Sequence, residues 1–191
     1  MRARLPLAAT ALALAAVLSG CSSHSSDMAG GTAAIVAGQQ GDIAFAQLMI
    51  PHHEQAVEMA DLALERETSP EVKALAEQIK GAQDPEIEQM TAWLAAWGAP
   101  TQMPGVEHSG DHAGMPGMMS DDDMSALADA QGAAFDEKWL TLMIAHHEGA
   151  LTMAQQVLGT TTDAEVRTLA EAVVAGQKAE ITEMTALLAR A

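Results

Sequence analysis

From Phe45 onward the apolar positions fall at three- and four-residue steps: Phe45, Leu48, Ala56, Met59 and Ala63, with His52 on the same stripe. That is the period of an α-helix with one buried face. The stripe stops around residues 65–67. Thr68-x-x-Glu71 follows with the spacing of a capping box, and Pro70 sits in the first turn, where its missing N–H is harmless. A second stripe then runs through Val72, Leu75, Ala76, Ile79, Gln83, Ile87, Met90 and Leu94. The spacing predicts a helical hairpin. Pro51 and Pro85 lie inside the two patterns and predict local kinks.

The hairpin is written twice. Shifted by 94 residues, positions 42–94 align without a gap on 136–188, with 24 identities in 53 positions. Leu48-Met49-Ile50-Pro51-His52-His53-Glu54 meets Leu142-Met143-Ile144-Ala145-His146-His147-Glu148, and Glu86-Ile87 meets Glu180-Ile181. Thr162-x-x-Glu165 repeats the capping-box spacing. An ungapped match of this length marks internal duplication. Two amphipathic hairpins predict an all-α, four-helix bundle over 41–191. Ser120 followed by Asp121, Asp122 and Asp123 opens an extra short helix over about 121–131. Between the hairpins, residues 98–119 lose all periodicity and are rich in Gly, Pro, Met and His, the signature of a mobile loop.

The N-terminus has a different character. Arg2 and Arg4 precede an apolar run from Leu5 to Leu18, too short to span a membrane, and Leu18-Ser19-Gly20-Cys21 closes it. Residues 1–20 read as a signal peptide. Leu-Ser-Gly-Cys resembles the lipobox of bacterial lipoproteins, which implies cleavage before Cys21 and a lipid anchor on it. Cys21 is the single cysteine and has no internal disulfide partner. Residues 21–40 read as a flexible tether. Without Arg2 and Arg4, 7 basic residues face 26 acidic ones, a formal charge of −19. Such a chain repels nucleic acid and anionic lipid and attracts cations.

The composition also carries 13 Met and 7 His. The sharpest pattern is Met-x-x-His-His, at Met49, His52 and His53 and again at Met143, His146 and His147. At ~100° per residue, Met49 projects roughly 60° from His52 and 40° from His53, one turn away from both. Thioether and imidazole together suit Cu(I), and imidazole also accepts Cu(II) or zinc. The competing reading is that His52 and His146, each on a buried stripe, are hydrogen-bonded core residues copied by duplication. Met59, Met90, Met153 and Met184 read as core. Glu54 and Glu148 read as solvent-facing. Met103, His108, His112, Met115, Met118 and Met119 form a second donor set in the loop, read equally as a solvated linker. Helical ligands lose less freedom on binding, so the helical pairs are expected to hold the tightest metal.

Asp42…Phe45-x-x-x-Met49-Ile50-x-His52-His53, and above all Phe135-Asp136-x-x-Trp139-Leu140-x-x-Met143-Ile144-x-His146-His147-x-Gly149-Ala150, resemble the domain-of-unknown-function 305 family over roughly 41–190. The resemblance implies a ferritin-like four-helix bundle and, in some members, periplasmic copper binding through Met and His. The Glu-x-x-His pairs of ferritin-like iron oxidases are absent. No nucleophile–base pair, phosphate loop or cofactor motif occurs either. The sequence therefore reads as a non-enzymatic, lipid-anchored protein that sequesters or relays copper outside the cytoplasm. A metal-dependent oxidoreductase and a metal-free adaptor for other envelope proteins are the alternatives. Replacing Cys21 by Ser should move the protein out of the membrane fraction or leave its precursor uncleaved. Fractionation and maturation like wild type would refute the anchor.

Overall fold

The computed structural model describes residues 26–102 and 115–190, with side chains from Gly38 onward. Residues 1–20, read from the sequence as a signal peptide, and Cys21 lie outside the described residues, as do Met103, His108 and His112. Five helices follow in order: α1 Ser26–Leu64, α2 Pro70–Trp97, α3 Asp121–Asp129, α4 Ala133–Leu158 and α5 Ala164–Leu188. Among the described residues there is no strand. α1 packs on α2 and α4 on α5, and the two hairpins meet chiefly along α1 and α4. The result is an all-α four-helix bundle of duplicated hairpins, with α3 as the short extra helix.

Residues 26–40, expected as part of the flexible tether, instead form the first turns of α1. No proline interrupts 26–50, and the buried stripe beyond Asp42 supplies a packed nucleus. Extending a formed helix gains about one hydrogen bond per residue fixed. Pro51 and Pro85 both lie inside continuous helices.

The caps fall one residue later than the sequence spacing suggested. Ser69, not Thr68, caps α2 by accepting from the Val72 N–H, and Thr68 donates back to the Ala63 carbonyl. Asp163, not Thr162, caps α5 and accepts from both Glu165 and Val166. A carboxylate binds two orphan amides where one hydroxyl binds one, and it suits the positive end of the helix dipole. The true capping box is at α3, where Ser120 and Asp123 exchange bonds.

The duplication is also a device for closing the bundle. Asp136, at the start of α4, accepts from the Ser69 backbone N–H at 3.0 Å and so holds the α1–α2 turn. Its repeat equivalent, Asp42, is bonded by the Thr161 side chain in the α4–α5 turn. Each hairpin thus ties down the turn of the other. Arg66 reaches from the end of α1 to the carbonyls of Leu127, Ala128 and Ala130, and it lies 5.1 Å from the Phe135 ring centroid. A cation at those terminal carbonyls stabilises the end of α3.

The apolar interior is split in two. One cluster includes Phe45, Met49, Met90, Leu94, Met153, Val157 and Val166. The other includes Met59, Leu75, Ile79, Trp139, Met143 and Met184. On every main helix the residues between the clusters are polar and buried: His52 and His53 on α1, Gln83 on α2, His146 and His147 on α4, Gln177 and Glu180 on α5. Glu86 of α2 lies in the same stretch. Trp139 anchors one apolar half, fully buried, with its indole N–H donating to the Met59 carbonyl at 2.8 Å. Trp139→Ala should therefore lower unfolding free energy by roughly 3–5 kcal/mol, read from urea denaturation. A loss below about 1 kcal/mol would show that this cluster does not carry the fold.

Candidate metal centre

All six helical candidates of the Met-x-x-His-His blocks are fully buried: Met49, His52, His53, Met143, His146 and His147 are each 0% exposed. Helical geometry turns adjacent residues about 100° apart, so the two rings of each pair face different neighbours. His52 and His146, the repeat-equivalent residues, meet in a tilted ring contact between α1 and α4, with centroids 3.7 Å apart and planes at 38°. His53 turns toward α2, where its Nε2 lies 2.7 Å from a Glu86 carboxylate oxygen. His147 turns toward α5, with Nε2 2.8 Å from Glu180. The sequence pattern brings a thioether and two imidazoles to one helix. The structure brings imidazoles together between helices.

Met49 packs in one apolar cluster and Met143 in the other, on opposite sides of the histidine layer. Met59, Met90, Met153 and Met184 are buried core, and Glu54 and Glu148 are exposed. Among the described residues, no three His, Asp or Glu side chains converge on a point where an ion would fit as they stand.

The hydrogen bonds assign the ring nitrogens. Carbonyls and carboxylates only accept, so His52 Nε2 donates to the Pro116 carbonyl at 3.0 Å, and His53 and His147 donate to their glutamates. The Nδ1 atoms of all three rings are buried without a partner, and neither nitrogen of His146 makes a hydrogen bond of good geometry. A ring whose outer N–H is held by a carbonyl or carboxylate while the inner nitrogen is free has the arrangement of a metal-binding imidazole. The same layer leaves Gln83 Nε2 and Oε1 and Gln177 Oε1 unpartnered. Buried polar groups without partners are costly and uncommon, and they concentrate here.

Burial dominates the electrostatics. It pushes His52 down to about 3, helped by the neighbouring His53 and His147 and opposed by the Pro116 carbonyl. His146 is held well below its ordinary value, by burial first and then by the other three histidines, opposed by a weak contact with the His52 backbone. Both rings are therefore neutral at physiological pH, as a ligand must be.

The end of the Met/His loop docks on this layer. Besides accepting from His52 at Pro116, it is held by Gln55, which donates to the Met119 carbonyl at 3.0 Å and accepts from the Met119 N–H at 2.8 Å. On the other side it lies directly on α4. A Cβ on Gly149 would collide with the Pro116 carbonyl and approach Gly117 Cα within 2.7 Å. Gly117 has φ +77°, and a Cβ there would come within 2.6 Å of the Ala145 carbonyl. Met115 and Met118 are half-buried on this segment, and Met119 is buried against the Trp139 cluster.

Glu86, Glu180, Gln55 and Gly149 escaped the sequence reading. Glu86 and Glu180 had left a signal, standing 33 residues after His53 and His147 in both copies. Gln55 and Gly149 occupy equivalent positions yet differ, so the repeat hid them.

A duplicated helical bundle with a buried histidine layer under a Met-bearing loop defines a class of helical domain. Its sequence profile is that of DUF305, a domain of unknown function, and it matches residues 42–188. The chain belongs to the DUF305 family. Solved structures agree. A DUF305 protein of Streptomyces coelicolor, described as secreted, is 34% identical with a TM-score of 0.71, covering 78% of this chain and 91% of its own. A DUF305 fragment of Deinococcus radiodurans is 36% identical, TM-score 0.71, covering 79% and 97%. CopM in its Cu(II)-bound form is 33% identical, TM-score 0.68, covering 78% and 96%, and it is also known in Cu(I)- and silver-bound forms. No curated protein matches the sequence significantly.

The buried neutral rings make a pH prediction for the metal-free protein. The unfolded chain protonates each ring near 6.5, whereas folded His52 resists until about 3. Stability should thus be full above pH 6.5 and fall as pH drops below it, by on the order of 1 kcal/mol per pH unit for each ring. Urea midpoints at pH 7.5, 6 and 5 read this slope, and His52→Gln/His146→Gln should flatten it. A wild type equally stable at pH 7.5 and 5 would contradict the assignment.

Proposed function

We propose that this chain is an exported copper-binding protein, lipid-anchored through Cys21, that sequesters or relays copper outside the cytoplasm. The observation that carries the reading is the histidine layer: four fully buried imidazoles with five ring nitrogens left without partners. Two are held neutral, three have their outer N–H engaged by an acceptor, and methionines flank the layer on both sides. Neutral imidazole with thioether is the donor chemistry that Cu(I) prefers. CopM, similar over 78% of this chain, is known in copper-bound forms, and the Streptomyces relative is described as secreted. Both support a copper-handling role beyond the cytoplasm.

His52, His53, His146 and His147, with Met49 and Met143, would hold the ion. Glu86 and Glu180 would orient His53 and His147. Copper here is cargo. We read the protein as non-enzymatic because its sequence carries no nucleophile–base pair, phosphate loop or cofactor motif. The formal charge of −17 over the whole chain draws cations and turns away nucleic acid.

Titration of the full-length protein with Cu(I) against a competing chelator should show tight, stoichiometric binding. Met49→Leu/His52→Gln/His53→Gln should weaken the strongest event more than replacing Met103, His108 and His112. Absence of binding by the wild type would overturn copper handling. A triple variant that binds like wild type would return these histidines to a structural role.

A further inference from the structure

All four histidines of the layer are 0% exposed, so whatever reaches them must pass through a wall that opens. Around most of the layer that wall is helix, and parting the main helices would pull the two apolar clusters apart. Over His52 the wall is a single stretch of backbone. The Pro116 carbonyl bonds His52 Nε2 at 3.0 Å while Pro116 itself is exposed, so that nitrogen lies under one peptide unit of a surface residue. Residues 115–119 are held there by few, separable contacts. Gln55 pairs with the Met119 backbone through two hydrogen bonds, and on the α4 side Gly117 rests directly on Gly149. Of the five residues only Met119 is buried, and Ser120 follows it with the capping box that starts α3. The strap thus has one fixed end and four residues with little apolar burial. That is the character of a segment that opens locally while the rest stays folded.

We infer that residues 115–119 are a gate: they swing off His52 about the Met119–Ser120 end, and this undocking is the step through which the histidine layer exchanges with solvent. The gate sets how fast a cation enters and leaves, whichever side chains then hold it. For the cation it rests on the copper reading, whereas the opening itself belongs to the metal-free chain. Gln55 and Gly149 suit the dock to release. Hydrogen bonds and a close backbone fit lock one geometry, yet water replaces those bonds on opening and little apolar surface is uncovered. Glu86 offers a competing way in, because its side chain is 19% exposed and touches His53. It is fixed to α2, however, and moving it uncovers His53 rather than His52.

Metal-free, full-length protein tests the gate first. Diethyl pyrocarbonate modifies neutral imidazole that reaches solvent, and peptide fragment masses read each histidine separately. Gly149→Ala and Gly117→Ala push a methyl group into the Pro116 and Ala145 carbonyls respectively, and Gln55→Leu removes both bonds to Met119. Each should raise the His52 rate roughly tenfold with His147 unchanged, the effect on an opening equilibrium of loosening the dock by about one hydrogen bond. In Gly149→Ala the Met119 amide should also exchange its hydrogen faster. Loaded with Cu(I), the same variants should release it to a chelator faster by a similar factor. If His52 and His147 accelerate together, the whole bundle opens and the inference fails. It fails equally if His53 alone accelerates, which would put the entrance at Glu86, or if His52 is uncovered while Cu(I) release keeps its wild-type rate. A wild type that takes up no Cu(I) would sink the copper reading instead, and the metal-free rates would still decide whether the strap gates the layer.

Discussion

The contact between His52 and His146 sets the terms for much else in this bundle. Two imidazoles tilted against each other at 3.7 Å, fully buried and without a bonded inner nitrogen, form an interior that folding alone does not favour. An unpartnered buried polar group costs on the order of 1–3 kcal/mol. The molecule offsets that cost by confining it. The polar side chains occupy one level on all four main helices, and well-packed apolar clusters close the bundle above and below. Glu86, Glu180 and the Pro116 carbonyl each take the Nε2–H of one ring, which leaves the Nδ1 atoms of those three rings unpartnered. The remaining deficit is what a ligand could relieve, because any group that binds only the folded chain stabilises it.

Much of this architecture was legible in the sequence. Helical periodicity and the 94-residue repeat specify two hairpins, since a duplicated amphipathic hairpin has few other ways to bury its faces. The repeat also located the histidines, and the stripes that put His52 and His146 inside carried over to the structure. Other features depend on relations between helices, which a linear pattern does not contain. Adjacent His52 and His53 look like one chelating pair along the chain, yet their rings leave the helix toward different neighbours. Glu86 lies a whole hairpin turn away from His53, and only the packing of α2 on α1 brings its carboxylate within 2.7 Å. The caps slipped by one residue for a local reason. Thr68 and Thr162 match the spacing rule, but Ser69 and Asp163 have the extended backbone that a cap needs.

The missing ferritin-type Glu-x-x-His motif takes on a physical meaning in this light. A carboxylate one turn from a histidine on the same helix becomes a co-ligand and builds a hard, oxygen-rich site. Here the carboxylates come from the neighbouring helix and meet the far side of the ring. They act on the imidazole's orientation and leave the inner side to nitrogen and, near by, sulfur. Moving a glutamate from one helix to the next changes the character of the cavity without changing the bundle that encloses it.

Equivalent residues in contact mark the local two-fold axis, so the groove over His52 and His146 would look the same to an arriving chain from either direction. A perfectly duplicated protein would give its connecting loop two equally good ways to lie there, head to tail or reversed. The Gln55/Gly149 difference removes that ambiguity: one side offers an amide that pairs with a backbone, the other an absence of side chain that admits one. Divergence at one pair of equivalent positions is enough to give a near-symmetric scaffold a direction. Symmetry supplies the two facing helices, and their difference at this pair of positions decides which way the thread runs across them.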